Sequence, residues 1–305
     1  MDGLIGGVQR FSTEDGPGIR TTVFFTGCPL KCQWCHNPEL IGFNPQVLYT
    51  EQKCLKCRGC AQACPLHAIS FHEDTLKIDR EVCTGCGKCV EECCTEALKL
   101  SGEFKDIKNL TKLLSKDKGF YNETGGGITL SGGEVCRQAD YAYALMQACI
   151  AEKMDVAIDT CGYCKTEDLL KLCENAQIVL YDIKCMDEEK HKELTAVSNE
   201  LILSNLKALC EQPSIREKIM VRLPLIHNVN DTEENLTAVC RLLNEHGIKR
   251  VEGLPYHSLG ISKSRKLNQE SIEFDTPPDD YIDKIVELFK THSLMITIMG
   301  RDKKD

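Results

Sequence analysis

Eleven of the 20 cysteines in this 305-residue chain fall into three tight groups: Cys28/Cys32/Cys35, Cys54/Cys57/Cys60/Cys64 and Cys83/Cys86/Cys89/Cys93. Thiolates two or three residues apart can converge on one metal centre from a single loop, whereas disulfide partners are usually not so crowded. The fold must therefore wrap metal centres. Nothing in the N-terminus MDGLIGGVQRFSTEDG suggests export, because it lacks the apolar segment of a signal peptide, and no apolar run is long enough to span a bilayer. A reducing, cytoplasmic setting is the expectation, with thiols free for metal. A net charge of −9 argues against a dominant electrostatic grip on nucleic acid or anionic lipid, so neither nucleic acid nor membrane is an expected partner.

The second and third groups share one pattern. Cys54-x2-Cys57-x2-Cys60-x3-Cys64 and Cys83-x2-Cys86-x2-Cys89-x3-Cys93 duplicate the bacterial ferredoxin spacing, in which the fourth cysteine of each run ligates the other cluster. One 4Fe-4S cluster is expected on Cys54, Cys57, Cys60 and Cys93, and a second on Cys83, Cys86, Cys89 and Cys64. Two zinc sites would not need the repeated fourth cysteine. Pro65 follows the first run but Cys94 stands in its place after the second, so either Cys93 or Cys94 could be the ligand; spacing favours Cys93. Residues 49–100 are expected to form this small α+β ferredoxin-like insert. It reads either as an electron relay or as a structural or docking module.

Around the insert, in 1–48 and 101–305, the texture changes to repeated strand-then-helix units. Short apolar, β-branched runs at 21–27, 128–132, 156–160, 178–184, 218–225 and 250–256 alternate with amphipathic stretches at 138–152, 166–175, 199–212 and 232–247. A helix over 279–292 and a strand over 294–300 close the chain. With 42% hydrophobic residues a sizeable core is available. Six βα units with buried parallel strands predict an α/β fold, a partial (β/α)6 barrel; a closed eight-stranded barrel would need more strands. Chemistry in such folds sits at the C-terminal strand ends. Cys28, the Gly132-Gly133-Glu134 turn, Asp159-Thr160, Asp182 and Lys184, Arg222 with Pro224, and His257 all collect there.

Three thiolates on the loop after the first strand leave a four-iron cluster with one iron free of protein ligands, open to an amino and a carboxylate group. A structural zinc site would want a fourth ligand such as His36. Gly132 and Gly133 let backbone approach a ligand closely, and Glu134 adds an acceptor. The CxxxCxxC spacing resembles the radical S-adenosylmethionine superfamily, and Trp34 before the third cysteine strengthens the match.

DGPGIRTTVFFTGCPLKCQWCHNPE (15–39), YDIK (181–184) and GLPYHSLG (253–260) together resemble the glycyl radical enzyme activating enzymes across essentially the whole chain. The resemblance implies an oxidoreductase that reductively cleaves S-adenosylmethionine to a 5′-deoxyadenosyl radical. That radical takes hydrogen from a backbone glycine of a partner glycyl radical enzyme. It assigns Cys28, Cys32 and Cys35 to the catalytic cluster and Gly132, Gly133 and Glu134 to the methionyl amino end. Asp159, Asp182 and Lys184 lie along ribose and carboxylate; Asp159, Thr160 and Asp182 could hold a monovalent cation (Na⁺ or K⁺). Arg222, Pro224 and His257 complete the cofactor pocket, and Asp15 meets the partner's glycine loop. Val135 departs from the proline that follows GGE in many members. Flavodoxin or ferredoxin is the implied donor and a monomer the implied state. The insert points to a dehydratase or lyase partner other than pyruvate formate-lyase. Three 4Fe-4S clusters follow in all.

Two other readings stay open: a radical enzyme with another substrate, and an iron–sulfur electron carrier. A carrier has no use for Gly132–Glu134 or for Asp182 and Lys184. Cys161 and Cys164 have CxxC spacing without a thioredoxin-like context. Cys136, Cys149, Cys173, Cys185, Cys210 and Cys240 read as ordinary buried thiols.

Overall fold

A computed structural model describes residues 1–301. Its frame is a nine-stranded sheet. Seven of the strands run parallel: β2 (Arg20–Phe25), β8 (Gly127–Gly132), β9 (Val156–Thr160), β10 (Ile178–Asp182), β11 (Ile219–Leu225), β12 (Arg250–Pro255) and β13 (Met295–Ile298), neighbours in that order. Crossover helices Ala139–Ala151, Thr166–Asn175, Glu200–Cys210, Glu233–His246 and Asp279–Thr291 lie where the amphipathic stretches predict them. The fold is therefore the expected α/β partial barrel.

The pleat sorts the side chains. Leu130, Ile158, Val179, Tyr181, Val221 and Val251 join the main apolar core. Alternate residues on the same strands turn the other way, because side chains switch faces with period two. Register then builds the polar row: Asp182 stands opposite Arg222, and Arg222 opposite Glu252, across β10, β11 and β12. Ser131 hydrogen-bonds Asp159 on the same side.

Two strands at one side of the sheet have no counterpart in the sequence reading. β1 (Asp2–Ser12) pairs antiparallel with β2 through two register irregularities, and β7 (Glu103–Asp106) pairs antiparallel with β1. Glycines and exposed polar residues in β1 hide its alternation.

Between β2 and β7 the chain builds the small cysteine-rich unit. β3 (Gln46–Tyr49) pairs with β6 (Leu98–Ser101), and β4 (Ile69–His72) with β5 (Thr75–Ile78), both antiparallel. Glu73 and Asp74 both take positive φ in the two-residue turn between β4 and β5, the conformation a type I′ hairpin requires. Val47, Tyr49, Ile69, Leu76, Ile78 and Leu98 form a separate small core. The unit is fastened to the barrel by Arg80 Nη2, which donates to Leu267 O (3.0 Å), and Asn268 Nδ2, which donates to Leu76 O (3.2 Å). Among the described residues no helix is long and apolar enough to cross a membrane.

Candidate active site and metal centres

The loop after β2 carries Cys28, Cys32 and Cys35, and both of its sides are held. Gly27 N and Cys28 N donate to Leu40 O (2.7 Å) and Ile41 O (3.0 Å); Lys31 N and Gln33 N donate to Thr195 O (2.8 Å) and Leu194 O (3.1 Å). Trp34 anchors the middle, packed with Cys185, Leu194, Ile226 and Tyr256 and set edge-on to Phe274. Burial pushes the Cys32 thiol up to about 12 and the Cys35 thiol to about 11. These are neutral thiols without metal, and a bound iron centre would displace their protons.

The loop's far end is equally constrained. A Cβ on Gly260 would come within 2.1 Å of Cys35 O, so only glycine permits this approach. Lys263 Nζ binds Asn37 Oδ1 (2.6 Å) and Glu39 Oε1 (2.7 Å). His36 stacks on His257 with ring centroids 3.8 Å apart; burial and that neighbour lower His36 to about 4. His36 is thus a neutral ring bracing His257, a partnership spacing alone could not reveal.

The Gly132-Gly133-Glu134 turn folds directly under the loop. Gly133 N donates to Phe25 O and Glu134 N to Gly27 O, both at 2.8 Å. Gly132 has φ +113, and a Cβ on Gly133 would sit 2.5 Å from Gly27 O. The Glu134 side chain is fully buried. Its Oε1 accepts from Thr160 Oγ1 (2.8 Å) and Cys136 N (3.0 Å), and its Oε2 from Cys161 N (2.8 Å). The Gly133 and Glu134 amides and most of the Glu134 carboxylate's capacity are thus spent within the protein. Thr160 likewise spends its hydroxyl on Glu134, on the opposite side of β9 from Asp159.

The charged row is mutually held. Lys184 Nζ lies 2.8 Å from Asp182 Oδ2; although burial opposes its charge, Asp182 keeps the ammonium's pKa raised. Arg222 reaches Asp159 (3.4 Å) and Glu252 (3.7 Å), and its Nη2 donates to Glu14 O (3.2 Å). Burial lifts Asp159 to about 6 in spite of Arg222. Asn230 Nδ2 donates to Pro224 O (2.7 Å) and Lys184 O (2.8 Å), tying two strand ends together. Asp159 Oδ1, Arg222 Nε and Glu252 Oε2 are buried without a hydrogen-bond partner among the described residues. Such groups fit a polar ligand that would complete them. Glu252 and Asn230 are additions to the sequence reading. A single acid in a short strand carries no signal until register sets it beside Arg222.

Asp15 sits at the mouth of this row. Its carboxylate accepts from Ser12 Oγ (2.6 Å) and from Thr22 Oγ1, and its carbonyl accepts from Thr129 Oγ1 (2.7 Å). The D-G-P-G turn is thereby fixed beside the residue whose carbonyl meets Arg222.

The small unit contains two small apolar hollows. Cys64, Cys83, Cys86 and Cys89 line one; Cys54, Cys57, Cys60, Cys93 and Cys94 line the other. Cys94 is exposed, whereas Cys93 is half-buried. Backbone amides around Leu98 and Ala97, with Thr95, hold the Cys93 thiol's pKa down against its burial. At least four thiols line each hollow, enough in number and chemistry for an iron–sulfur cluster.

A 4Fe-4S dicluster domain model matches residues 46–94. Over the whole chain, the sequence is 41% identical to the trans-4-hydroxy-L-proline dehydratase activating enzyme of Clostridioides difficile, covering 98% of this chain and 100% of that one. It is 40% identical to the choline trimethylamine-lyase activating enzyme of Oleidesulfovibrio alaskensis, covering 88% of this chain and 87% of that one. A solved domain of a pyruvate-formate lyase-activating enzyme from Bacteroides vulgatus aligns with a TM-score of 0.48 at 26% identity, over 57% of this chain and 99% of that one.

Proposed function

This chain belongs to the glycyl radical enzyme activating enzymes, and from that premise we propose how its residues divide the work. It is a radical S-adenosylmethionine oxidoreductase with 4Fe-4S chemistry that acts on a partner glycyl radical enzyme. When bound, the reduced cluster and S-adenosylmethionine supply a 5′-deoxyadenosyl radical that takes hydrogen from the partner's glycine.

In this reading Cys28, Cys32 and Cys35 hold the catalytic cluster. Gly132, Gly133 and Glu134 shape the amino-end site. Asp159, Asp182, Lys184, Arg222, Pro224 and His257 receive the rest of the cofactor. A monovalent cation would sit between Asp159 and Asp182 with Thr160 contributing its carbonyl, since the Thr160 hydroxyl is already committed. Asp15 faces the incoming glycine loop. Residues 49–100 act as an insert carrying two further clusters, three in total. The observation that carries the site assignment is that Asp159, Arg222 and Glu252, ion-paired at the strand ends, each keep one buried polar atom without a hydrogen bond.

A relay role for the insert is supported by one short segment that touches both regions. Gly260 lies under Cys35 and Lys263 binds Glu39, while Leu267 and Asn268 bind Arg80 and Leu76 of the insert. Ferredoxin or flavodoxin is the proposed donor, with the chain acting as a cytoplasmic monomer that docks on its partner. The relatives' names point to a dehydratase or lyase as that partner. The test is to incubate the reduced, cluster-loaded chain with S-adenosylmethionine and purified hydroxyproline dehydratase or choline lyase, each in turn. A glycyl doublet in the partner's electron paramagnetic resonance spectrum supports that partner; cofactor cleavage with no doublet in either excludes both.

A further inference from the structure

The loops after β8 and β9 meet at a cluster whose two thiols no step above uses. A carboxylate oxygen of Glu134 and the sulfurs of Cys136 and Cys164 lie within 4.8 Å of one another, with Glu134 and Cys136 buried and Cys164 half-buried. Read singly, Cys136 is an ordinary core thiol and Cys164 the end of a CxxC. The fold instead sets them against each other, each on a different loop of the cofactor rim.

The structure assigns a soft divalent cation, of the zinc class, to Glu134, Cys136 and Cys164. Two thiolates and one carboxylate match the mixed sulfur–oxygen preference of Zn²⁺. Glu134 accepts three hydrogen bonds, and an ionised carboxylate offers about four acceptor positions, so one remains for a metal. Tetrahedral Zn–S bonds of about 2.3 Å place two sulfurs about 3.8 Å apart, so the donors close in by roughly 1 Å on binding. The hydrogen bond with Cys164, and then burial, hold the Cys136 thiol well above its ordinary pKa. Binding therefore releases two thiol protons to solvent as two metal–sulfur bonds form. A water completes the fourth position. The ion would staple the Gly132–Glu134 turn to the Cys161–Cys164 loop, fixing the backbone that the cofactor meets.

The test uses the cluster-loaded chain, incubated with one equivalent of Zn²⁺, desalted, and measured for metal content and zinc-edge X-ray absorption. The expected result is about one zinc per chain with two sulfurs near 2.3 Å and oxygens near 2.0 Å. The Cys136→Ser/Cys164→Ser double variant should lose the zinc and keep its full iron content. Cys164→Ser alone, at the half-buried position, serves if the double variant does not load iron. Failure to retain zinc, a shell of three or four sulfurs (zinc seated in a cluster site), or zinc retained in these variants would each overturn the assignment. So would two thiols that resist alkylation in the zinc-free chain, which would mark a disulfide.

Discussion

The barrel rim and the cysteine-rich insert handle metal and charge in opposite ways. At the rim, charged side chains hold one another: Asp182 with Lys184, and Asp159 and Glu252 with Arg222, on parallel strands whose register is fixed by an extensive core. In the insert a small core is threaded by cysteines, and Cys60 and Cys89 belong to it alongside Val47 and Leu98. A domain this small is marginal on apolar burial alone and depends on its metal. The rim is a preorganised row of charges on a large core; the insert's core is built in part from its own cysteines.

The largest effect that would break this contrast is at the first cysteine group. Cys32→Ala should abolish 5′-deoxyadenosine formation while iron content falls only from about twelve to about eight per chain. Iron and cofactor product are the readouts, and a loss of all iron would show that the two regions are not independent.

Changing the insert should act differently. Cys57→Ala should lower turnover with a reduced ferredoxin by about a hundredfold and with a small strong reductant only a few-fold, the ratio an electron-relay role predicts. Equal losses would leave the insert a structural module. At neutral pH the rim carboxylate Asp159 is charged, but burial has raised its pKa to about 6. Below that value the carboxyl is protonated, so the KM for S-adenosylmethionine should rise about tenfold per pH unit. In Asp159→Asn the KM should be high and flat across the same range. The sign for the ligand-free fold is the reverse: a raised carboxyl pKa contributes stability at acid pH that is lost as pH rises through about 6. The smallest effect sharpens the ligand choice. Cys94→Ala should leave iron content and activity unchanged, whereas Cys93→Ala should lose about one cluster's iron.

Much of this arrangement is legible in the sequence because its signals are local. Cysteine spacing marks the hollows, and apolar strand runs mark the barrel. The rest depends on contacts that exist only after strands pair. Glu252 is an unremarked acid until β11 and β12 set it beside Arg222. Cys136 and Cys164 become neighbours only when β8 lies against β9. The β1 hairpin arm is hidden because its glycines and surface residues break the period-two pattern. Glu134 reads as a ligand-facing acceptor, yet its oxygens serve Thr160, Cys136 and Cys161.

The most direct measurement is chromatography of the anaerobic, cluster-loaded chain after reduction and addition of S-adenosylmethionine. The account predicts 5′-deoxyadenosine and methionine in a one-to-one ratio from the wild type and, with a small reductant, from Cys57→Ala at a few-fold lower rate, and neither from Cys32→Ala. Product from Cys32→Ala, or none from a fully loaded wild type even with a partner enzyme present, would contradict it.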